Sequence, residues 1–486
     1  MTNLLNPTGI CCLALYSLLG SKVTYPSSQA YNASLGSYFS AQVASQNPSC
    51  IVLPEVTADV STAVSTLSYI SRLLSNSSQP ACKFAVRSGG HNSNVGASNF
   101  DKGVTIDLRG LNTIELSNDK SMISLGVGNT WDEVYAKLDG FNLSVAGGRS
   151  SGVGVGGLSL GGGISFFGTR YGWTSDAVLN FELVLANGSI INANTDKNPD
   201  LAAALRGGGN NFGIVTQVDM PVFQQPAFWG GFLYFPTSVW SETGRQFVKI
   251  NSADEYDENV HMTLSWGYDS TLGEAVAYSV DYTKSTAEPP AVFSDILNLP
   301  VLFGSTSVSD VTHKAFEVRA QQAADGFRYD WSTITLISTE AAVNMTYARV
   351  NESIADLKSI SNLTISFTLE PLPPSLYARH GESNSFGLGN REQSLIVCLL
   401  ELAWLDPADD IKVVQASRRL MATIKEDARD LGVWDPFVYF NYAGSWQDPI
   451  SSYGQESVHK LRRVADDVDP GRVFTYQVPG GFKIIK

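Results

Sequence analysis

Positive charge is scarce in this chain. Lys and Arg number 33 against 47 Asp and Glu, a net charge of −14. No basic run offsets the imbalance, so a nucleic-acid backbone is excluded as a partner. Histidine is rarer still. His91, His261, His313, His380 and His459 are scattered, and none stands at ligand spacing from a cysteine or another histidine. That pattern gives no metal site. Long apolar runs are also missing. Outside the N-terminal stretch nothing is long enough to span a bilayer, which removes a membrane from the expected partners. There is no G-x-x-x-x-G-K-[ST] loop and no internal repeat.

Cysteines are few and crowd toward the start: Cys11, Cys12, Cys50 and Cys82, with Cys398 far away. Either disulfides pin the N-terminal region and leave Cys398 as a buried thiol, or all five are reduced core residues. Asn32, Asn76, Asn142, Asn187, Asn344, Asn351 and Asn362 each open an Asn-X-Ser/Thr triplet. That density favours the disulfide reading and a secretory-route, lumenal or extracellular protein. The pairing stays open. Residues 10–20 read either as the apolar core of a signal peptide or as a short helix stapled by a disulfide.

What is present is apolar bulk and glycine. The chain has 486 residues, 43% of them apolar and 43 of them glycine. That is enough for a large core and two domains. Apolar spacing predicts a helix over 59–74, with Thr57 or Asp59 as cap, and another over 131–138 capped by Thr130. Strands are expected at 83–86, 103–108, 113–116 and 122–127. A hairpin is expected at 179–193, with Asn187-Gly188 as a type I′ turn. Beyond a boundary at 221–226 glycine thins out. Strands at 229–235, 261–266, 275–282, 332–337, 363–368 and 394–401 alternate with helices at 239–250, 311–323, 340–360 and 408–431. The fold class is therefore α+β, with a mainly antiparallel sheet backed by helices. A helix over 455–466 and a strand over 473–476 close the chain.

Two stretches carry the chemistry. Arg87-Ser88-Gly89-Gly90-His91-Asn92 follows a strand. The second stretch runs from Gly147-Gly148 through Ser150, Gly152, Val153, Gly154, Gly157 and Leu158 to Gly162-Gly163. So many glycines bring main-chain N–H groups close to a large anionic ligand such as a pyrophosphate. The second stretch satisfies G-x-G-x-x-G, with Asp176 downstream. But 158–168 is too glycine-rich for the helix that a doubly wound dinucleotide fold needs there.

Together these residues resemble flavoproteins of the vanillyl-alcohol oxidase type, and most nearly the berberine bridge enzyme-like branch with its fungal FAD-linked oxidoreductases. Pro48–Pro54, Gly103–Leu108, Tyr171-Gly172, Arg206–Thr216 with Gly213-Ile214, Tyr439-Phe440-Asn441-Tyr442 and Pro479–Lys483 carry the likeness along nearly the whole chain. The resemblance implies a segment at 1–45, an FAD-binding domain at 46–220, a substrate domain at 221–435, and a return to the flavin domain at 436–486. It implies FAD bonded covalently through His91. Ser150 stands where relatives carry a second flavin-linking cysteine, so one link is expected. Val153 falls at the position that admits oxygen, pointing to an oxidase. Tyr439 and Tyr442 are the expected bases, and either needs a lowered pKa to act as one. In a strand Asn441 faces away from both. Gly444 replaces the family's aspartate.

The expected activity is oxidation of a small organic substrate by a monomeric enzyme, of the kind used in fungal secondary metabolism. A carbohydrate oxidase, a flavoprotein cyclase guiding a pericyclic step, and a non-catalytic flavoprotein are the rival readings. Trp229, Phe232, Tyr234, Phe235, Trp266, Tyr282, Tyr329 and Trp331 either line a pocket or fill the core.

Overall fold

A computed structural model describes residues 6–74, 80–252 and 256–485. Asn76 lies outside them. Three larger sheets and a two-stranded one, Phe223–Gln224 with Leu143–Ser144, are present among the described residues. The first has four strands in the order Val23–Thr24, Cys50–Val52, Val104–Asp107, Phe84–Arg87, and its last three run parallel. The helix Thr57–Leu74 is the crossover, burying Val60, Val64 and Leu67 at helical spacing. The second sheet is antiparallel, in the order Ile114–Leu116, Met122–Gly126, Ile214–Pro221, Asn180–Val184, Ile190–Asn194. The third has eight strands: Phe303–Ser309, Phe228–Phe235, Gly273–Tyr282, Val260–Asp269, Thr364–Leu372, Leu395–Trp404, Arg328–Ile337 and Trp434–Asp435, all antiparallel.

Strand alternation gives the large sheet two unlike faces. Leu264, Trp266, Tyr278, Phe367, Leu369, Leu400 and Leu402 point to one side, where they pack with Phe247, Val343 and Leu420 of three long helices. Those helices are Trp240–Asn251, Glu340–Ser353 and Asp410–Asp430. His261, Ser265, Asp281, Trp331, Thr368, Glu370 and Leu399 share the other face by register. The candidate site is built on this second face.

Cys11 pairs with Cys82 and Cys12 with Cys50, and Cys398 is free and buried. The two bonds clamp the helix Pro7–Leu19, capped by Asn6, to the first sheet. The C-terminus comes back to that region. Phe84 N–H donates to Gln477 O at 2.7 Å, and Val478 and Ile484 are buried in the same core as Val52 and Phe84.

Four local expectations are corrected. Residues 473–476 form a helical turn, because the Asp469 carboxylate takes the N–H groups of Val473 and Phe474 at 2.9 and 2.7 Å. The hairpin turn is not type I′. Gly188 alone of the central pair has positive φ (+86°), and the loop closes by Gly188 N–H to Leu185 O and Leu185 N–H to Ser189 O. This is a three-residue loop, fixed from outside by Ser61 and Ser68, whose hydroxyls donate to Gly188 O and Ala186 O. A helix does begin inside the glycine motif, at Val155, but it stops at Leu160. Finally, 440–442 is a 3₁₀ turn rather than a strand, so Asn441 lies beside Tyr439 and its side-chain N–H reaches the phenol at 3.2 Å.

Candidate active site

The two glycine stretches meet. A Cβ on Gly154 would lie 2.2 Å from Gly89 N, so only glycine permits the contact. Ser88 ties them together: its hydroxyl donates to Val127 O at 2.6 Å and accepts Gly156 N–H at 3.2 Å. Gly90 holds φ +81° with Arg87 packed where a side chain would go. Beyond this crossing, the N–H groups of Gly89, Gly90, His91 and Asn92 find no acceptor among the described residues. Gly90 is buried and the other three are half-buried, and unpaired donors so grouped suit an anionic ligand. A Cβ at Gly152 or Gly157 would meet nothing within 4 Å, so both glycines border open space.

The other glycines and Arg87 make close packing contacts. The Arg87 guanidinium donates to Ser34 O and Ser37 O at 2.6 Å each, 3.6 Å from Asp107, under the Tyr38 ring. Gly147 and Gly148 lie against Trp131, and Gly148 O accepts from Tyr135. Gly213 presses on Val184 O, and Ile214 pairs with Val184 in the second sheet. Val153 O accepts Trp131 N–H at 3.0 Å. Leu158 fills the space against Gly163, while Gly162 packs on Phe386 and Tyr439. Ser150 is buried, its hydroxyl 3.3 Å from Ser151 O.

His91 follows this crossing. Its ring stacks on Phe39 with centroids 3.9 Å apart, and Trp331 stands 5.7 Å away. Its Nε2 is sealed from solvent without a partner among the described residues. Burial, aided by the Arg319 charge, pulls its pKa down to about 4. A neutral imidazole with one nitrogen left without a partner can act as a nucleophile or attachment point.

Across from it stands a connected polar group that the sequence did not reveal. Arg149 Nη2 meets Glu370 Oε1 and Oε2 at 2.9 and 2.8 Å and the Tyr442 hydroxyl at 2.9 Å. The Tyr442 hydroxyl donates to Glu370 Oε1 at 2.8 Å. Arg149 Nη1 lies 3.0 Å from His261 Nε2, and His261 Nδ1 lies 3.3 Å from Asp281. The pKa of Tyr442 is raised, by burial first and the Glu370 charge second, even with Arg149 opposing. That of Tyr439 is raised by burial too, although its hydroxyl accepts from Gly163 N–H at 3.0 Å and from Asn441. Neither tyrosine has the lowered pKa that a free phenolate base requires.

Of the aromatics, Trp229, Phe235 and Trp266 lie in the helix-side core, and Tyr282 donates to Asp257. Tyr329 and Trp331 join Phe39 beside His91. Phe232 and Tyr234 sit half-buried on the site-side face. No group of three or more His, Cys, Asp or Glu among the described residues is arranged to hold a metal, and no described helix is long and apolar enough to cross a membrane.

Residues 48–194 match the FAD binding domain family. The chain is 34% identical over 489 residues to the FAD-dependent monooxygenase CTB5 of Cercospora beticola, covering 98% of this chain and 91% of that one. It is 39% identical over 466 residues to a Diaporthe leptostromiformis protein named oligopeptidase PhomG', but spans only 36% of that longer chain. In fold it is similar to the glucooligosaccharide oxidase of Acremonium strictum, whose FAD is 6-S-cysteinyl, 8α-N1-histidyl linked. The TM-score is 0.76 at 17% identity, covering 99% of this chain and 100% of that one.

Proposed function

Because the chain belongs to the family of fungal FAD-dependent oxidoreductases, we propose that it oxidises a small organic substrate with FAD bonded once to the protein, through His91. The residues present fit the cofactor. The unpaired N–H groups of Gly89, Gly90, His91 and Asn92 suit its pyrophosphate, and His91, whose ring is neutral and whose Nε2 has no protein partner among the described residues, suits the attachment. Ser150 offers a hydroxyl where a thiol would make a second link, hence a single bond. When bound, FAD supplies the two-electron acceptor for a hydride leaving the substrate.

The observation that carries the mechanism is the Tyr442–Glu370–Arg149 group. The Tyr442 oxygen accepts from Arg149 and donates to Glu370. A second lone pair is left for a substrate hydroxyl. As that hydroxyl gives its proton to Tyr442, Tyr442 passes its own to Glu370. No free phenolate forms, so the raised pKa is no obstacle. Arg149 holds both partners in line and offsets the negative charge. Tyr439, which accepts from the Gly163 main chain and from Asn441, positions the glycine loop.

Molecular oxygen is the proposed re-oxidant, supported by the small Val153 at the loop's edge. The protein acts as a monomer with the domain limits given above. The disulfides Cys11–Cys82 and Cys12–Cys50 support a secretory route. The test is anaerobic flavin bleaching across a panel of alcohols, phenols and sugars. Wild type is reduced by at least one; Tyr442→Phe keeps its flavin but is reduced at least a hundred-fold more slowly, on the order of a lost general base. Equal reduction rates in the two proteins sink the relay.

A further inference from the structure

The relay group has a second arm, on the far side of Arg149. Arg149 reaches the ring of His261 with Nη1, at 3.0 Å from Nε2. A guanidinium only donates, so Nε2 must accept and carry no proton. The ring proton therefore sits on Nδ1, facing Asp281 at 3.3 Å, and Asp281 is itself held by the Ser279 hydroxyl at 2.8 Å. His261 is 7% exposed and Asp281 3%, so water does not replace either contact. The three elements that place these groups are fixed: His261 and Asp281 are register partners on neighbouring strands, and Glu370 lies on the strand beyond.

We propose that His261 is a positioning residue for the relay, holding Arg149 on Glu370 and Tyr442 only while its ring is neutral, so that the clamp opens when His261 takes up a proton. A protonated ring would turn an Nε2–H donor and a positive charge toward Nη1. Arg149 would then lose an acceptor and gain a like charge at hydrogen-bond distance, inside a buried site where such repulsion is poorly screened. Tyr442 and Glu370 would lose the guanidinium that aligns them. The groups facing His261 decide how readily this happens. Arg149 opposes protonation; Asp281 and Glu370 favour it. Phe166 caps the ring edge-on at 5.1 Å, and Tyr256 borders the narrow cavity shared by Arg149, His261 and Glu370. Burial is the largest influence and the ring's pKa lies below its ordinary 6.5. The clamp is thus closed at neutral pH and opens on the acid side.

This inference rests on the relay reading, but its test needs no turnover. Histidine-labelled, FAD-loaded protein is titrated by NMR, which is tractable with 5 histidines in the chain. The His261 signal is the one missing from His261→Gln. The expected result is an Nδ1–H tautomer that titrates below the ordinary histidine range, moving up in Arg149→Met and down in Asp281→Asn. Crystal structures of the FAD-loaded protein on either side of that titration complete the test. Wild type should show Arg149 withdrawn from Glu370 on the acid side only. His261→Gln, whose amide oxygen can accept from Arg149 at any pH, should show the clamp closed in both. An Nε2–H tautomer, a titration indifferent to Arg149, or a clamp intact beside a protonated ring overturns the inference. A slow Tyr442→Phe enzyme with such an indifferent His261 would leave the relay standing and this inference alone refuted.

Discussion

The Tyr442 hydroxyl donates to Glu370 Oε1 at 2.8 Å, and both are held by one guanidinium nitrogen of Arg149. Tyr442 and Glu370 are 72 positions apart in the chain. The strand Thr364–Leu372 presents Glu370 on the face of the large sheet away from its long helices, and the 3₁₀ turn Phe440–Tyr442 lays the phenol against it. Glu370→Gln keeps the shape and removes the proton acceptor. Substrate-driven flavin reduction should fall about 10²–10⁴-fold with FAD content unchanged; stopped-flow absorbance checks it.

Arg149 and Glu370 form a buried ion pair, with side chains 10% and 4% exposed. Removing one partner leaves an uncompensated charge. Arg149→Met should cost about 3–5 kcal/mol of stability, and Arg149→Met with Glu370→Met should regain much of it. Chemical denaturation of the three proteins measures this, and a double variant no more stable than the single one would refute it.

The disulfides Cys11–Cys82 and Cys12–Cys50 fasten the helix Pro7–Leu19 to the first sheet. Cys12→Ser with Cys50→Ser should lower stability by about 2–5 kcal/mol. Denaturation of this variant, with and without reductant, checks the figure. Cys398, buried and far from the other four, should resist thiol reagents until the protein unfolds.

Asp176 accepts Trp173 N–H at 3.1 Å and the Asn384 amide at 3.0 Å, yet burial still raises its pKa to about 7. A carboxyl with a raised folded pKa binds its proton more tightly in the fold than unfolded. It therefore favours the fold at acid pH, and that contribution is lost as pH rises from about 4 through about 7. Asp176→Asn should flatten the pH dependence of the melting temperature in that window relative to wild type. An unchanged slope would show that Asp176 is ionised throughout.

Much of the fold was legible because its signals are local. Alternation marked the strands of the large sheet, and helical spacing marked Thr57–Leu74 and Asp410–Asp430. The site was half legible. Glycines at 89, 90 and 154 announced a close approach of the main chain to a ligand, but not that the two stretches pack against each other, which only the tertiary fold brings about. Arg149, His261, Asp281 and Glu370 were not legible as a group. Each lies on a different element, each alone reads as an ordinary polar residue, and only register and tertiary packing bring them into contact. Asn441 was misplaced for a related reason: a three-residue turn leaves no periodicity to read. The raised pKa of the tyrosines is likewise a property of burial, which the local sequence does not contain.

The most direct test of the account is the mass of the intact protein under denaturing conditions, for wild type beside His91→Ala and Ser150→Ala. Wild type and Ser150→Ala should each carry one covalently bound FAD and His91→Ala none, with the flavin on the peptide that contains His91. Flavin that separates freely from wild type, or that stays on His91→Ala, would contradict it.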